Sequence, residues 1–267
     1  MSAVRIANLT VRFGADVLAV DDFSLDIAQG EFVSIVGPSG CGKTTVLNLL
    51  TGLLPLERGD ISILGKRPFV GNPDVAYMLA RDSLMPWRTT LGNASYGAEV
   101  RGVGKVEREA HAMELLRRVG LAGFEHRYPK ALSHGMRQRC ALARTFTLDS
   151  PVMLMDEPFG ALDAQTKLQL EDLLLELWRE EKRTVVFITH DLAEAVALSD
   201  RVIVMSARPG RIVADIPIGL QRPRSVKALQ KDPEFHRIYA QVWSELERGI
   251  AVSGGAASSV NSQAVSA

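Results

Sequence analysis

Apolar and polar positions alternate along the first part of the chain. Val4–Val11 and Phe23–Ile27 read as short strands separated by polar breaks. Glu31–Val36 predicts a strand that runs straight into a glycine-rich segment. Val46–Leu50 then predicts a helix stopped by Gly52, and Ile61–Leu64 another short strand. From about Pro86 the spacing becomes helical. Apolar residues at 106, 110, 113, 116 and 119 predict one face of a helix over Val106–Val119, ended by Gly120, and His134–Leu148 is a second helical stretch. Pro151 restarts a strand, Val152–Met155. Ala164–Glu181 is strongly periodic, with Leu170, Leu173, Leu174, Leu177 and Trp178 on one face. Thr184–Thr189 is a continuous apolar run, as a buried parallel strand requires. Arg201–Ser206 and Arg211–Ile216 predict further strands, and Pro233–Leu246 has helical character.

Strand–helix alternation on both sides of the helical stretch implies a doubly wound α/β core. The chain divides into a core of residues 3–87 and 151–217, a helical lobe of 88–150 and a helical C-terminal extension of 218–250. Residues 251–267, rich in Ser, Ala and Gly without periodicity, are expected to be a disordered tail.

Composition excludes several classes. The 267 residues are 46% hydrophobic and 23% charged, which rules out disorder throughout. Thirty-one basic residues balance 31 acidic ones, so no nucleic-acid partner is expected, because phosphate binding needs a basic face. No apolar run approaches the ~18 residues needed to span a bilayer, and Met1–Gly14 lacks a signal-peptide core. A chain that is itself soluble and cytoplasmic is expected, with docking on a membrane protein left open. Two cysteines without a CxxC pair point away from structural zinc and disulfides.

The glycine-rich segment carries the first chemistry. Gly37-Pro38-Ser39-Gly40-Cys41-Gly42-Lys43-Thr44-Thr45 satisfies G-x-x-x-x-G-K-[ST], after a strand and before a helix. Glycines let successive N–H groups converge on one point, and the following helix aims its positive end there. Lys43 adds a charge for the β- and γ-phosphates, and Thr44 offers a hydroxyl to Mg²⁺. Cys41 reads as a small loop residue.

Further signals follow. Asp156 and Glu157 end an apolar strand at the edge where open α/β sheets bind ligands. There Asp156 suits Mg²⁺, and Glu157 suits activation of water. Leu132-Ser133-His134-Gly135-Met136 opens a helix. On the residues alone it is equally a simple Ser133 N-cap or a second anion-binding end. Ala161-Leu162-Asp163 follows the acidic pair, and His190 follows the apolar run Thr184–Thr189, placed to donate to a phosphate.

In this order the motifs resemble the ATP-binding subunit of ABC transporters over residues 3–210, and most closely the importers for nitrate, sulfonate, taurine and similar solutes. The resemblance implies an α/β fold: a P-loop NTPase core of mainly parallel sheet, an N-terminal antiparallel β portion and an inserted helical lobe. It implies that Gly37–Thr45 bind ATP, that Phe13 stacks on adenine, that Glu157 is the general base and that His190 senses the γ-phosphate. Ser133, His134, Gly135 and Met136 then contact the ATP of a second copy, with Asp163 at the dimer seam. It further implies Mg²⁺, membrane permease subunits, an extracytoplasmic solute-binding protein reached indirectly, and a peripheral place on the cytoplasmic face of the plasma membrane.

The stretch Asp82–Thr90 matches the region that receives the permease. Leu84, Met85, Pro86 and Trp87 read as its docking residues, with Trp87 filling the lobe's own core as the alternative. Two departures stand out. Ala80 occupies the place of a family Gln, with no Gln from Gly71 to Thr90, and His134 replaces a family Gly, at a strain if the backbone there is left-handed. A poorly hydrolysing regulatory ATPase is the alternative these departures favour. ABC ATPases without a membrane partner and P-loop kinases fit less well: the chain has one cassette and no long inserted arm, and the LS-x-G signature has no use in a kinase.

Overall fold

The computed structural model describes residues 1–14, 16–160 and 162–261, side chains of 252–261 excepted. In chain order the elements are β1 (Ser2–Phe13), β2 (Val17–Ala28), β3 (Phe32–Val36), α1 (Lys43–Leu50), β4 (Arg58–Ile63), β5 (Val75–Met78), α2 (Thr90–Ala94), α3 (Tyr96–Val100), α4 (Lys105–Arg118), α5 (His134–Phe146), β6 (Val152–Asp156), α6 (Ala164–Glu181), β7 (Thr184–Ile188), α7 (Leu192–Leu198), β8 (Arg201–Met205), β9 (Ile212–Pro217), α8 (Val226–Leu229) and α9 (Pro233–Asn261). They fall into two compact units, residues 1–70 with 184–267, and residues 71–183. Of the segment expected to be a tail, 251–261 continue α9, and 262–267 lie outside the described residues.

In the first unit, β1 pairs antiparallel with β2 and β4, making the three-stranded sheet β2-β1-β4. Its inward positions, Val4, Ile6, Leu9, Phe23, Leu25 and Ile27, are buried, as period-two alternation demands. The β1–β2 ladder slips where Asn8 and Asp22 both take left-handed φ (49° and 48°), and the Asn8 amide donates to Asp22 Oδ1 at 3.2 Å. β3 lies parallel to both β7 and β8, and β9 closes the edge antiparallel to β8. All five residues of β3 and of β7 are buried, which explains why they are apolar except for Ser34 and Thr184.

The C-terminal extension is part of this unit. Phe235, Ile238 and Val242 of α9 are buried, as are Val226 and Leu229 of α8. Arg224 donates to the carbonyls of Ala197, Ser199, Ile218 and Leu220, and Arg222 to those of Leu198 and to the Asp200 carboxylate. Together they satisfy carbonyls at the end of α7 that have no partner within the helix.

The second unit holds β5 and β6, parallel in the register Val75↔Val152 to Met78↔Met155. The α6 stripe is as the spacing predicts: Leu170, Leu174, Leu177 and Trp178 are buried, and Trp178 Nε1 donates to Arg183 O at 2.6 Å. The α4 stripe is not. Its buried residues are Ala112, Leu115 and Leu116, with Val119 just beyond, whereas Val106 is 86% and Met113 49% exposed. At about 100° per residue the five expected positions drift around the helix, so they do not share a face.

Candidate nucleotide-binding site

Residues Gly37–Thr45 leave the end of β3 and enter α1. Gly40 (φ 76°) and Gly42 (φ 103°) are left-handed. A Cβ on Gly42 would meet Val20 Cγ2 at 2.6 Å, and one on Gly37 would meet Cys41 Sγ and Met205 O at 3.0 Å. Both positions therefore need glycine for space, and Gly42 also for its backbone. The loop closes with Cys41 N–H donating to Pro38 O at 3.3 Å. Lys43 is 6% exposed, and its ammonium donates to Gly37 O at 2.7 Å and Pro38 O at 3.1 Å. The N-cap of α1 is Gly42, with no side-chain cap, and the positive end of the helix opens on the loop, which suits an anion. Ser39 and Thr44 are exposed, Pro38 and Thr45 half-buried. A backbone cradle with a basic side chain folded across it fits a polyphosphate.

The ladder of β3 and β7 pairs Ile35 with Ile188, so His190 leaves β7 at the same sheet edge at which Gly37 leaves β3. His190 is exposed, between anchored neighbours: Asp191 N–H donates to Thr189 Oγ1 at 2.9 Å, Thr189 Oγ1 to Glu194, and Asp191 caps α7. At the end of β1, Phe13 is 47% exposed and borders a cleft of about 280 Å³ lined also by Val11, Leu49, Leu54 and Leu56.

In the second unit, Asp156 ends β6 nearly buried and Glu157 follows with φ 45°, a left-handed backbone that turns its side chain out of the strand's alternation. The Tyr77 hydroxyl on β5 donates to the Asp156 carboxylate. Burial, then the Asp156 charge and that hydrogen bond, hold the phenol well above its ordinary pKa.

Ser133 caps α5, its Oγ accepting from Met136 N–H at 3.3 Å. His134 is the first residue of α5 and is not among the residues of positive φ, so the strain considered for it does not arise. Gly135 is needed for contact: a Cβ there would meet Thr166 Cγ2 at 2.9 Å. Asp163 caps α6 through Thr166 N–H at 3.0 Å, and those N–H groups hold its carboxyl below the ordinary range. Ala161 lies outside the described residues.

The four apolar residues of the loop before α2 separate. Trp87 is 74% exposed and Pro86 exposed, Met85 is half-buried, and Leu84 is buried. Leu84 therefore anchors the loop and adds nothing to its outer surface. Ala80 is exposed and has no polar side-chain atom. Cys41 and Cys140 are both buried and free, and no group of three metal-ligating side chains occurs among the described residues.

Three residues at these sites escape sequence reasoning. Tyr77 lies on β5, a strand too short to announce itself. Arg208 donates to Gly40 O at 3.2 Å across 168 positions. Arg137 pairs with Asp82 at 2.9 Å across 55. No local pattern encodes such partners.

The sequence pattern of the ABC transporter family matches residues 20–160. A Brucella abortus protein named for ATP binding is 47% identical over 241 residues, 90% of this chain and 92% of that one. An ABC transporter ATP-binding protein of Methanocaldococcus jannaschii is 45% identical, covering 85% and 86%. The taurine import ATP-binding protein TauB of Escherichia coli is 38% identical, covering 87% and 92%. Among solved structures, the ATP-binding cassette MJ0796, a dimer with ADP and Pi, superposes with a TM-score of 0.71 at 29% identity over 82% of this chain and all of that one. The cbiO1 protein of Clostridium perfringens shares the fold, with a TM-score of 0.73 at 22% identity, over 88% and 93%. No helix among the described residues is long and apolar enough to cross a membrane. Motif order, fold and relatives agree: the chain belongs to the ABC transporter family, as an ATP-binding subunit and an ATPase of the kind coupled to transport.

Proposed function

We propose that the chain is the ATP-hydrolysing motor of a bacterial importer for a small solute of the nitrate, sulfonate or taurine kind. The observation that carries this reading is the phosphate cradle, with Lys43 folded over a loop in which Gly42 leaves no room for a side chain. Two copies pair head to tail, and each ATP lies between the Gly37–Thr45 loop of one copy and Ser133–Met136 of the other. That arrangement gives the exposed N-terminus of α5 an anion to face. Asp163 sits at the seam, and Phe13 offers its face to adenine.

Lys43 and the loop N–H groups stabilise charge on the β- and γ-phosphates, while Glu157 polarises the attacking water and His190 donates to the γ-phosphate. Thr44 and Asp156 would hold Mg²⁺, which would supply further charge stabilisation at the phosphates. Phosphate release opens the pair. Trp87, Pro86 and Met85 receive integral permease subunits at the cytoplasmic face of the plasma membrane, and a solute-binding protein on the other side delivers cargo. The taurine relative and the nucleotide-bound dimeric cassette support the reading.

The test is Glu157→Gln. Phosphate release falls at least 100-fold while bound ATP persists through gel filtration; turnover at the wild-type rate contradicts the assignment. Ala80 and His134 favour a second reading, a slowly hydrolysing regulatory subunit. It predicts slow turnover in the wild-type chain even with its permease present.

A further inference from the structure

We propose that Arg137 is a positioning residue that ties the loop Asp82–Trp87 to the start of α5, so that the docking loop and the partner-facing end of this helix move as one piece. This rests on the reading above, in which Trp87 receives the permease and Ser133–Met136 meet the partner copy's ATP.

One guanidinium makes three contacts. Nε donates to Asp82 Oδ2 at 2.9 Å, Nη1 to Leu132 O at 2.9 Å, and Nη2 to His134 Nδ1 at 3.3 Å. Leu132 and His134 flank Ser133, so Arg137 grips both sides of the cap while holding the loop by its carboxylate. An arginine fork fixes direction as well as distance, which a lysine cannot do. Two turns further along the same face, Arg144 donates to Asp82 O at 2.7 Å and Ser83 O at 2.9 Å.

The far side of the loop is fastened as well. Asn93 accepts from Met85 N–H at 2.7 Å and donates to the carbonyls of Met85, Arg88 and Thr89. Arg88 pairs bidentately with Glu99, both bonds 2.9 Å. Between these fixed points the loop has little freedom of its own. Ala80 offers no polar atom for such a link, and Asp82, two residues on, supplies the carboxylate that α5 binds. A push on Trp87 thus reaches Ser133 through Asp82 and Arg137.

Trp87 is the reporter. Trp178 is buried and serves as a constant background, and Trp243→Phe removes the remaining exposed indole. Mg²⁺ with a non-hydrolysable ATP analogue is added, emission is recorded, and pairing is followed by light scattering in the same samples. The Trp243→Phe protein shows an emission shift on pairing. Arg137→Met and Asp82→Asn each pair and lose at least half of that shift, and the double variant loses no more than either alone. A loss of packing without a lost link lowers the melting temperature and leaves the shift intact. Should Arg137→Met not fold, Asp82→Asn, which removes only a charge, carries the comparison. Pairing with an undiminished shift in Asp82→Asn, or with no shift in the Trp243→Phe protein, overturns the proposal. Failure of the Trp243→Phe protein to pair overturns the parent reading, and this one with it.

Discussion

Gly135 and Thr166 meet so closely that a single added methyl group on the glycine would lie 2.9 Å from Thr166 Cγ2. The second residue of α5 thereby touches the first turn of α6, whose cap is Asp163. The two segments expected to face a partner copy are thus packed on each other within one chain. Gly135→Ala forces them apart. ATPase activity is predicted to fall about tenfold or more, with a stability loss of about 1–3 kcal/mol. Adding Thr166→Ser, which deletes Cγ2 and keeps the hydroxyl, restores most of both. A double variant no better than Gly135→Ala removes the steric explanation.

Tyr77 gives a prediction about Mg²⁺. Its hydroxyl donates to Asp156, orienting the carboxylate assigned to the metal. Tyr77→Phe keeps the ring and removes that donor. The Mg²⁺ concentration for half-maximal ATPase rises about tenfold, while ATP affinity measured without Mg²⁺ stays the same. An unchanged Mg²⁺ titration shows that the hydrogen bond does not matter to the site.

Both thiols should be silent in the folded chain. Burial pushes Cys140 up to about 12 and raises Cys41 too, where the Lys43 charge opposes the shift without cancelling it. At pH 8 neither is a thiolate, and neither is reachable. A thiol titration of the native protein yields no fast-reacting group, and two appear in denaturant. A fast-reacting native thiol contradicts the packing described around the phosphate loop or α5.

Arg224 is predicted to hold the C-terminal extension in place. Burial opposes its charge and pushes its pKa down, yet its donors serve four carbonyls, two of them at the end of α7. Arg224→Met strands those carbonyls and costs about 2–4 kcal/mol. Arg224→Lys recovers little, because an ammonium cannot reproduce the fork. A melting temperature unchanged in Arg224→Met would show that the contacts carry no stability.

Much of the molecule is legible in its residues. The phosphate loop, the acidic pair and His190 stand where apolar runs end, and such runs identify buried strands without any partner being known. The boundaries of α6 and the start of α5 follow from caps, Asp163 and Ser133, whose bonds are local. Legibility fails where structure depends on distant partners. The four residues of β5 signal little until β6 lies beside them. Leu84 looks like its exposed neighbours in the sequence, yet it alone of the four is buried. On α4 side-chain size misleads: Ala112 is small and Val106 large, yet Ala112 is the one buried. The Gln missing at position 80 shows in the sequence, but the Asp82–Arg137 pair beside it does not.

The head-to-tail sandwich is the central claim, and one cross-linking measurement tests it most directly. Two chains of different length, one carrying Ser39→Cys and the other Ser133→Cys, are mixed with Mg²⁺ and a non-hydrolysable ATP analogue and treated with a short bifunctional maleimide. Both serines are exposed in the single chain. The account predicts a hybrid cross-linked pair that forms with nucleotide and is absent without it. Paired chains that give no hybrid, or a hybrid formed equally without nucleotide, contradict it.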